Sequence, residues 1–400
     1  MIALTDLARQ LFSARLQGFL MRHFLRVSVF FLVSATSSCG GGGTNTTAAA
    51  LSGNDAYAAT VTSAASAGSG TPAAATPASS LYRVFSPQSF WYQPIPANAP
   101  LNHNSAAYVQ NLVSQVQTYY GNVNLNTTNY ASPIYFVQTV GGSSSVTWVN
   151  GTPVYPVSKR VNVGFWDCQN KGWTDPNLVA QWQGVPIPAG ATPAGGTDSE
   201  MSIYDLSTHT LWEFWVTRQV NGQWQACWGG RLQNTDQNIG AFPNPYGTTA
   251  TGLPFIGGEI SAEDLAGGSI NHAMGISLVN VENWNIFSWP ATRSDGHNPT
   301  NVPNLIPEGT RLRLDPSVNV DALNLTAVGR MIAKAAQTYG FVVWDKAGAL
   351  SLRMVNPASY KPAGMTDPYP ALFGGLPSYQ VLQNFPWNKL QVMPNNYGKP

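Results

Sequence analysis

The 400-residue sequence predicts a mainly β protein, a β-sandwich or jelly-roll-like fold with two packing α-helices. Three observations point there. Short alternating apolar runs bounded by Gly, Pro and Asn recur along the chain, as strands joined by turns do. Two Asn-Gly pairs, Asn150-Gly151 and Asn221-Gly222, sit between such runs as type I′ hairpin turns. Only two stretches combine helical spacing with a start and a stop signal.

Ahead of the fold, a basic start at Met21 (Arg22, His23, Arg26) leads into the apolar run Val27 to Val33, the small residues Ser34 to Ser38, and then Cys39-Gly40-Gly41. The run is far short of the ~20 residues that a membrane span needs. This segment, residues 21 to 43, resembles the export and lipid-attachment signal of bacterial lipoproteins, with Thr36 where those signals usually place Leu. The resemblance implies that residues 1 to 38 are an export signal starting at Met21, that Cys39 carries a lipid anchoring the chain to a membrane, and that the protein works in the cell envelope, in the periplasm or on the outer surface. A soluble signal cut near Ser38, leaving Cys39 an ordinary thiol, gives an exported protein as well. Residues 39 to 80 are Gly, Ala, Thr and Ser with scattered Pro, too little apolar surface to offset ordering entropy, and are predicted to be a flexible tether. Aromatic residues return at Leu81-Tyr82-Arg83-Val84-Phe85, and 81 to 400 reads as a single β-rich domain, undivided or built of two packed subdomains.

The first helix is expected over about 105 to 120: Asn104 or Ser105 caps it, Tyr108, Leu112, Val113, Val116 and Tyr120 form its apolar stripe, and Gly121 stops it. The second spans about 327 to 339, with Thr326 as cap, a stripe of Val328, Met331, Ile332, Ala335 and Tyr339, and Gly340 as stop. Strands are expected at Ile134 to Val137, Val146 to Val149, Val161 to Phe165, Glu200 to Tyr204, Ile270 to Val279, Thr310 to Leu314, Phe341 to Trp344 and Ala349 to Arg353. Lipidation of Cys39 would leave Cys168 and Cys227 as an even pair in an oxidising space, which predicts a disulfide worth roughly 4 kcal/mol on the chain-entropy model. Two buried thiols are the alternative.

Charged residues make up 10% of the chain, against about 25% in ordinary soluble domains. Solubility therefore rests on Asn, Gln, Ser, Thr and Gly. Residues 1 to 38 hold four arginines and one aspartate, so 16 basic and 18 acidic side chains follow them, a net charge near −2 before His. That balance argues against a nucleic-acid partner, which would need a basic stripe. Aromatics at 11% and 29 prolines among uncharged polar residues match proteins that meet neutral, hydroxyl-rich ligands. There is no Gly-x-Ser-x-Gly elbow, phosphate loop, His-Glu-x-x-His or Cys-x-x-Cys, and the four histidines after the signal lack ligand spacing. No cofactor or transition metal is expected; calcium on loop carboxylates stays open.

The strongest constellation runs from Leu211-Trp212-Glu213-Phe214-Trp215 through the Asn221-Gly222 turn to Trp224 and Trp228. A two-residue turn pairs Val220 with Gln223 and hence Trp215 with Trp228, so one face is expected to carry Glu213, Trp215, Trp224 and Trp228 and the other Trp212, Phe214 and Cys227. Indole faces beside a carboxylate suit a sugar, whose C–H face stacks on the ring. A sheet covered on both faces, with Glu213 a structural acid, is the alternative. Asp198 and Asp345, at strand edges, are expected partners for Glu213 across a cleft, or simple turn residues. Arg293, Asp295 and His297 lie in a long aperiodic loop of the kind that binds ligands or merely connects. Arg311 and Arg313 share one strand face and can clamp a uronate carboxylate or pair with structural acids. His272 is either a base near neutral pH or a hydrogen-bonded core residue.

Phrases from residue 81 onward (Phe85-Ser86-Pro87, Thr197-Asp198-Ser199-Glu200-Met201, Leu211-Trp212-Glu213-Phe214-Trp215, Trp289-Pro290-Ala291, Gly340-Phe341-Val342-Val343-Trp344-Asp345) resemble exported microbial proteins of no established activity, which implies no catalytic residues to carry over. The residues themselves predict a carbohydrate-active protein whose partner is a polysaccharide or oligosaccharide. As a glycoside hydrolase it would use Glu213 as acid with Asp198 or Asp345. As a polysaccharide lyase it would use Arg311 and Arg313 with His272 or a tyrosine. A non-catalytic carbohydrate-binding or surface-structural lipoprotein would use the same tryptophans without a proton-transfer pair.

Overall fold

Alternation along each strand decides which core its side chains enter, and the strand Phe341–Lys346 shows how. Phe341 and Val343 join one core with Leu112, Val116, Val328 and Ile332 of the two long helices. Val342 and Trp344 face the other way, into a second core shared with Ile134, Phe136, Tyr204 and Leu211. The computed structural model in which this is seen describes residues 80 to 157 and 159 to 400; the segment expected to be an export signal, Cys39 and most of the expected tether lie outside the described residues.

The protein is mainly β. One six-stranded sheet has the order Asn124–Asn126, Ser351–Arg353, Met274–Leu278, Phe341–Lys346, Arg311–Leu314, Leu390–Val392. The other runs Trp228–Leu232, Thr210–Trp215, Met201–Asp205, Ile134–Val137, Thr152–Tyr155, Thr147–Val149. They stack through the second core, as a sandwich. The outer face of the second sheet (Tyr135, Val137, Ile203, Trp212, Phe214) is covered by Leu178 and Trp182 and by a small sheet of Gly164–Phe165, Gln223–Ala226 and Arg218–Val220. Burial on both faces explains why these strands read as nearly continuous apolar runs.

The helices form where expected, at Ser105–Thr118 and Ala327–Thr338. Thr326 Oγ1 accepts the Gly329 N–H at 2.8 Å, and Gly340, at φ 76°, ends the second helix. Both Asn-Gly pairs have positive φ at each residue, as type I′ turns require. Direction is where the sheets depart from a simple antiparallel sandwich. Met274–Leu278 runs parallel to Phe341–Lys346, and Ile134–Val137 runs parallel to both Met201–Asp205 and Thr152–Tyr155. The first two pairs are joined by crossovers of more than sixty residues, ample for parallel pairing.

Three expected site residues turn out to be structural. Arg311 and Arg313 do share a strand face, but both are buried, and their guanidinium groups donate to main-chain carbonyls: Arg311 to Phe90, Gln93 and Tyr339, Arg313 to Pro96 and Ala97. They fasten the segment 90 to 97 to the first sheet and form no anion clamp. His272, expected within a strand from Ile270 to Val279, lies ahead of the strand that forms, Met274–Leu278, and is buried, with Nδ1 2.9 Å from the Ala273 carbonyl and Nε2 3.5 Å from Asp264. It is a core histidine.

Cys168 and Cys227 form a disulfide, Cα atoms 5.6 Å apart, spanning 59 residues. A loop of that length corresponds to about 4 kcal/mol of chain entropy. The joint substitution Cys168→Ser/Cys227→Ser is expected to lower unfolding free energy by about 2 to 5 kcal/mol in urea titration; an unchanged midpoint would contradict a stapling role. Trp344 lies against Gly258 and Gly275, where a β-carbon at either position would overlap its ring. Gly275→Ala should cost about 1 to 3 kcal/mol through overpacking, measurable in the same titration.

Candidate functional site

Trp215 and Trp228 are direct cross-strand partners, as the hairpin register requires. The ladder then breaks, because Val216 adopts φ 51°, a conformation costly for a β-branched side chain. Its N–H donates to the Asp198 carbonyl at 2.6 Å and its own carbonyl accepts from Trp166 Nε1 at 3.1 Å. Beyond this bend the faces no longer match. Trp224 is buried in the outer core with Trp212 and Phe214, so the expectation that it shares an open face with Trp215 and Trp228 is corrected.

Trp215 and Trp228 instead line a cleft of about 580 Å³. Its aromatic wall is completed by Phe165 and Trp173, with Trp173 set edge-on to Trp228 at 6.3 Å and Tyr246 stacked behind Trp228. The disulfide holds this wall together: Cys227 sits in the lining, and Cys168 carries the loop that supplies Asp167, Gln169, Lys171 and Trp173. A second stretch of the wall comes from Thr248, Thr249, Ala250, Arg293, Ser294 and Asp295; Asp198, Glu200, Asp345 and Lys346 complete the lining, and Asp198 and Lys346 mark the end that borders a second cavity. Arg293 is part of the wall's frame, donating to the carbonyls of Gly247, Thr249 and Ala250.

Under the floor lies Arg353, 4% exposed, with Nη1 2.9 Å from Glu200 and Nη2 2.9 Å from Asp345. Burial opposes its charge, and Glu200, Asp345, Glu259 and Asp198 together outweigh that, keeping the guanidinium protonated. The carboxyls around it outnumber it. Burial pushes Asp345 up to about 7; Arg353 works against this, while Asp295 and Asp198 add to it. Glu200 is likewise raised by burial and Glu259 is raised far above its ordinary range. Asp345 differs from those two in being 17% exposed at the cleft.

Glu213 does not touch the cleft. It is fully buried, accepting from Thr248 Oγ1 and from the Phe255 N–H, both at 2.7 Å, and burial pushes it up to about 8. Since Thr248 and Phe255 both line the cleft, Glu213 supports the floor from beneath; its expected role as the acid facing substrate is corrected. Of the other expected residues, Asp198, Asp345, Trp215, Trp228, Arg293 and Asp295 all meet in this one cleft. His297 is at the rim, exposed, 3.0 Å from Lys346 Nζ. Sequence reasoning missed Trp173, Glu200, Lys346 and Arg353. Trp173 had a signal, its closeness to Cys168; the pairing of Glu200 with Arg353, 153 residues apart, had none. Among the described residues no group of three His, Cys, Asp or Glu side chains is arranged to hold a metal ion.

Comparison with family models, with curated proteins and with solved structures returns no match. The chemistry of the cleft therefore carries the functional argument.

The buried acids make stability depend on pH. Glu213 and Glu308 rise from 4.5 to about 8 and Asp345 from 3.8 to about 7, each mainly through burial. Between their ordinary and folded values the folded chain binds more protons than the unfolded one, so stability falls as pH rises through that window. The urea midpoint is expected to be higher at pH 5 than at pH 8, and Glu308→Gln, which keeps the shape without the ionisation, should flatten the slope. A midpoint that climbs with pH would reverse the assignment.

Proposed function

We propose that this is an exported protein that cleaves glycosidic bonds in a neutral polysaccharide, tethered to a membrane through a lipid on Cys39. The observation that carries the reading is the Asp345 carboxyl at the end of a tryptophan-walled cleft, held by Arg353 and flanked by Asp198 and Asp295. The disulfide supports export, since such bonds persist in oxidising compartments.

Hydrolysis needs a carboxylic acid that still holds its proton and a second carboxylate that attacks or activates water. Asp345, pushed up to about 7, supplies the first near neutral pH. Asp198 and Asp295 line the same cleft and are the candidates for the second. Their distance from Asp345 across a bound sugar, about 5 Å or about 6.5 to 9.5 Å, would set retention or inversion. Trp173, Trp215 and Trp228 offer flat apolar faces for the pyranose rings. Lyase chemistry on a uronate fits less well, because Arg311, Arg313 and His272, its intended clamp and base, are engaged inside the protein.

Activity on neutral and acidic polysaccharides, read as new reducing ends and as unsaturated products, tests the reading directly. Asp345→Asn should lower kcat by about 10² to 10⁴-fold with little change in binding, and kcat should decline as pH rises through about 7. Trp215→Ala should weaken oligosaccharide affinity by about tenfold. Full activity in Asp345→Asn would overturn the proposal, whereas binding by the wild type with no new ends would leave a carbohydrate-binding protein that uses the same three rings.

A further inference from the structure

The cleft does not end at Asp198 and Lys346. Both residues also border a second cavity of about 630 Å³, which extends past them to Tyr120, Tyr130 and the run Asn124 to Asn129. We propose that the two cavities form one path for consecutive units of a neutral, hydroxyl-rich chain, with the Asp345 end of the cleft near its middle, so that bonds inside the polymer are cut rather than terminal ones. This rests on the function proposed above and adds where along the chain it acts.

Three independent features of the second cavity support it. Apart from Leu125 and the small residues Ala347, Gly348 and Ala349, its lining is amide and hydroxyl side chains, and its charges are Asp198 and Lys346 at the shared border and Arg353, both of whose terminal amino groups are taken by Glu200 and Asp345. Amides and hydroxyls both donate and accept, as sugar hydroxyls do. Next, Ser351 lines this cavity, is 3% exposed, and its Oγ has no hydrogen-bond partner among the described residues; Arg353 Nε is likewise unpartnered. A buried hydroxyl without a partner is costly unless something polar reaches it. Finally, Tyr120 and Tyr130, 81% and 39% exposed, are both held at positive φ (71° and 56°). Bulky residues seldom adopt that conformation without a compensating use. Tyr130 lies against Gly196, two residues from Asp198, which places its ring beside the junction of the two cavities.

The test uses the full-length protein and ladders of β-glucan, xylan and mannan oligosaccharides from disaccharide to octasaccharide, with pectic oligosaccharides as the charged control. On a neutral ladder that is turned over, kcat/KM should climb steeply with length, and early digests of the polymer should contain mixed intermediate oligomers. Tyr130→Ala should cut the gain between short and long substrates about tenfold, and Tyr130→Phe should restore most of it. Release of single terminal units at a rate indifferent to length would overturn the path while leaving the role of Asp345 standing. If no ladder is hydrolysed, the catalytic reading fails first. Calorimetric affinity on the same ladders then decides the path alone: it stands if affinity grows with length in a manner sensitive to Tyr130→Ala, and falls if affinity is independent of length or is confined to the pectic control.

Discussion

One buried cation organises this protein. Arg353 ends a strand of the first sheet, Asp345 lies on another strand of the same sheet, and Glu200 immediately precedes a strand of the second, so the Arg353–Asp345 pair joins two strands of one sheet while the Arg353–Glu200 pair crosses the sandwich. Burying such a group in isolation would be prohibitive, and the attraction of the paired acids offsets much of that cost. Burial raises Glu200, Asp345 and Glu259 above their ordinary range, the single guanidinium works against this in all three, and neighbouring carboxyls add to the rise. The same guanidinium thus ties the sheets together through Glu200 and holds in place, at the cleft, a carboxyl that burial pushes up to about 7.

The aromatic wall depends on a departure from regular structure. A continuous hairpin would have kept Trp215, Trp224 and Trp228 on one side. The left-handed backbone at Val216 separates them, sending Trp224 into the outer core and binding the hairpin to the loop of Asp198. Catalytic candidate and stacking ring are thereby set by the same hydrogen bond, from the Val216 N–H to the Asp198 carbonyl.

Much of the fold was legible because its signals are local. Helical spacing with caps located both helices; alternation between turns located most strands; the Asn-Gly pair fixed the register that joins Trp215 to Trp228. The strand expected from Ile270 shrank to Met274–Leu278, and that expected at Val161 to Phe165 shrank to two residues, since pairing partners decide where a ladder begins. Strand direction was not legible, because alternation reads the same both ways. Six site residues were picked for separate local reasons and met in one place, but Glu213, Arg311 and Arg313 were placed on the wrong side of the surface. Which face of a strand is covered depends on segments far away in the chain, such as residues 90 to 97 over the two arginines and 248 to 255 over Glu213.

The disulfide between Cys168 and Cys227 bears on recognition as much as on stability. Trp173 sits on a loop that lines the cleft and has no regular structure between Phe165 and Pro176. Covalent attachment to the hairpin keeps that loop in register with Trp228 before any ligand arrives. The entropy of ordering it is met during folding, once, and not at each encounter, so a sugar ring meets a prebuilt slot and its contact energy goes into affinity.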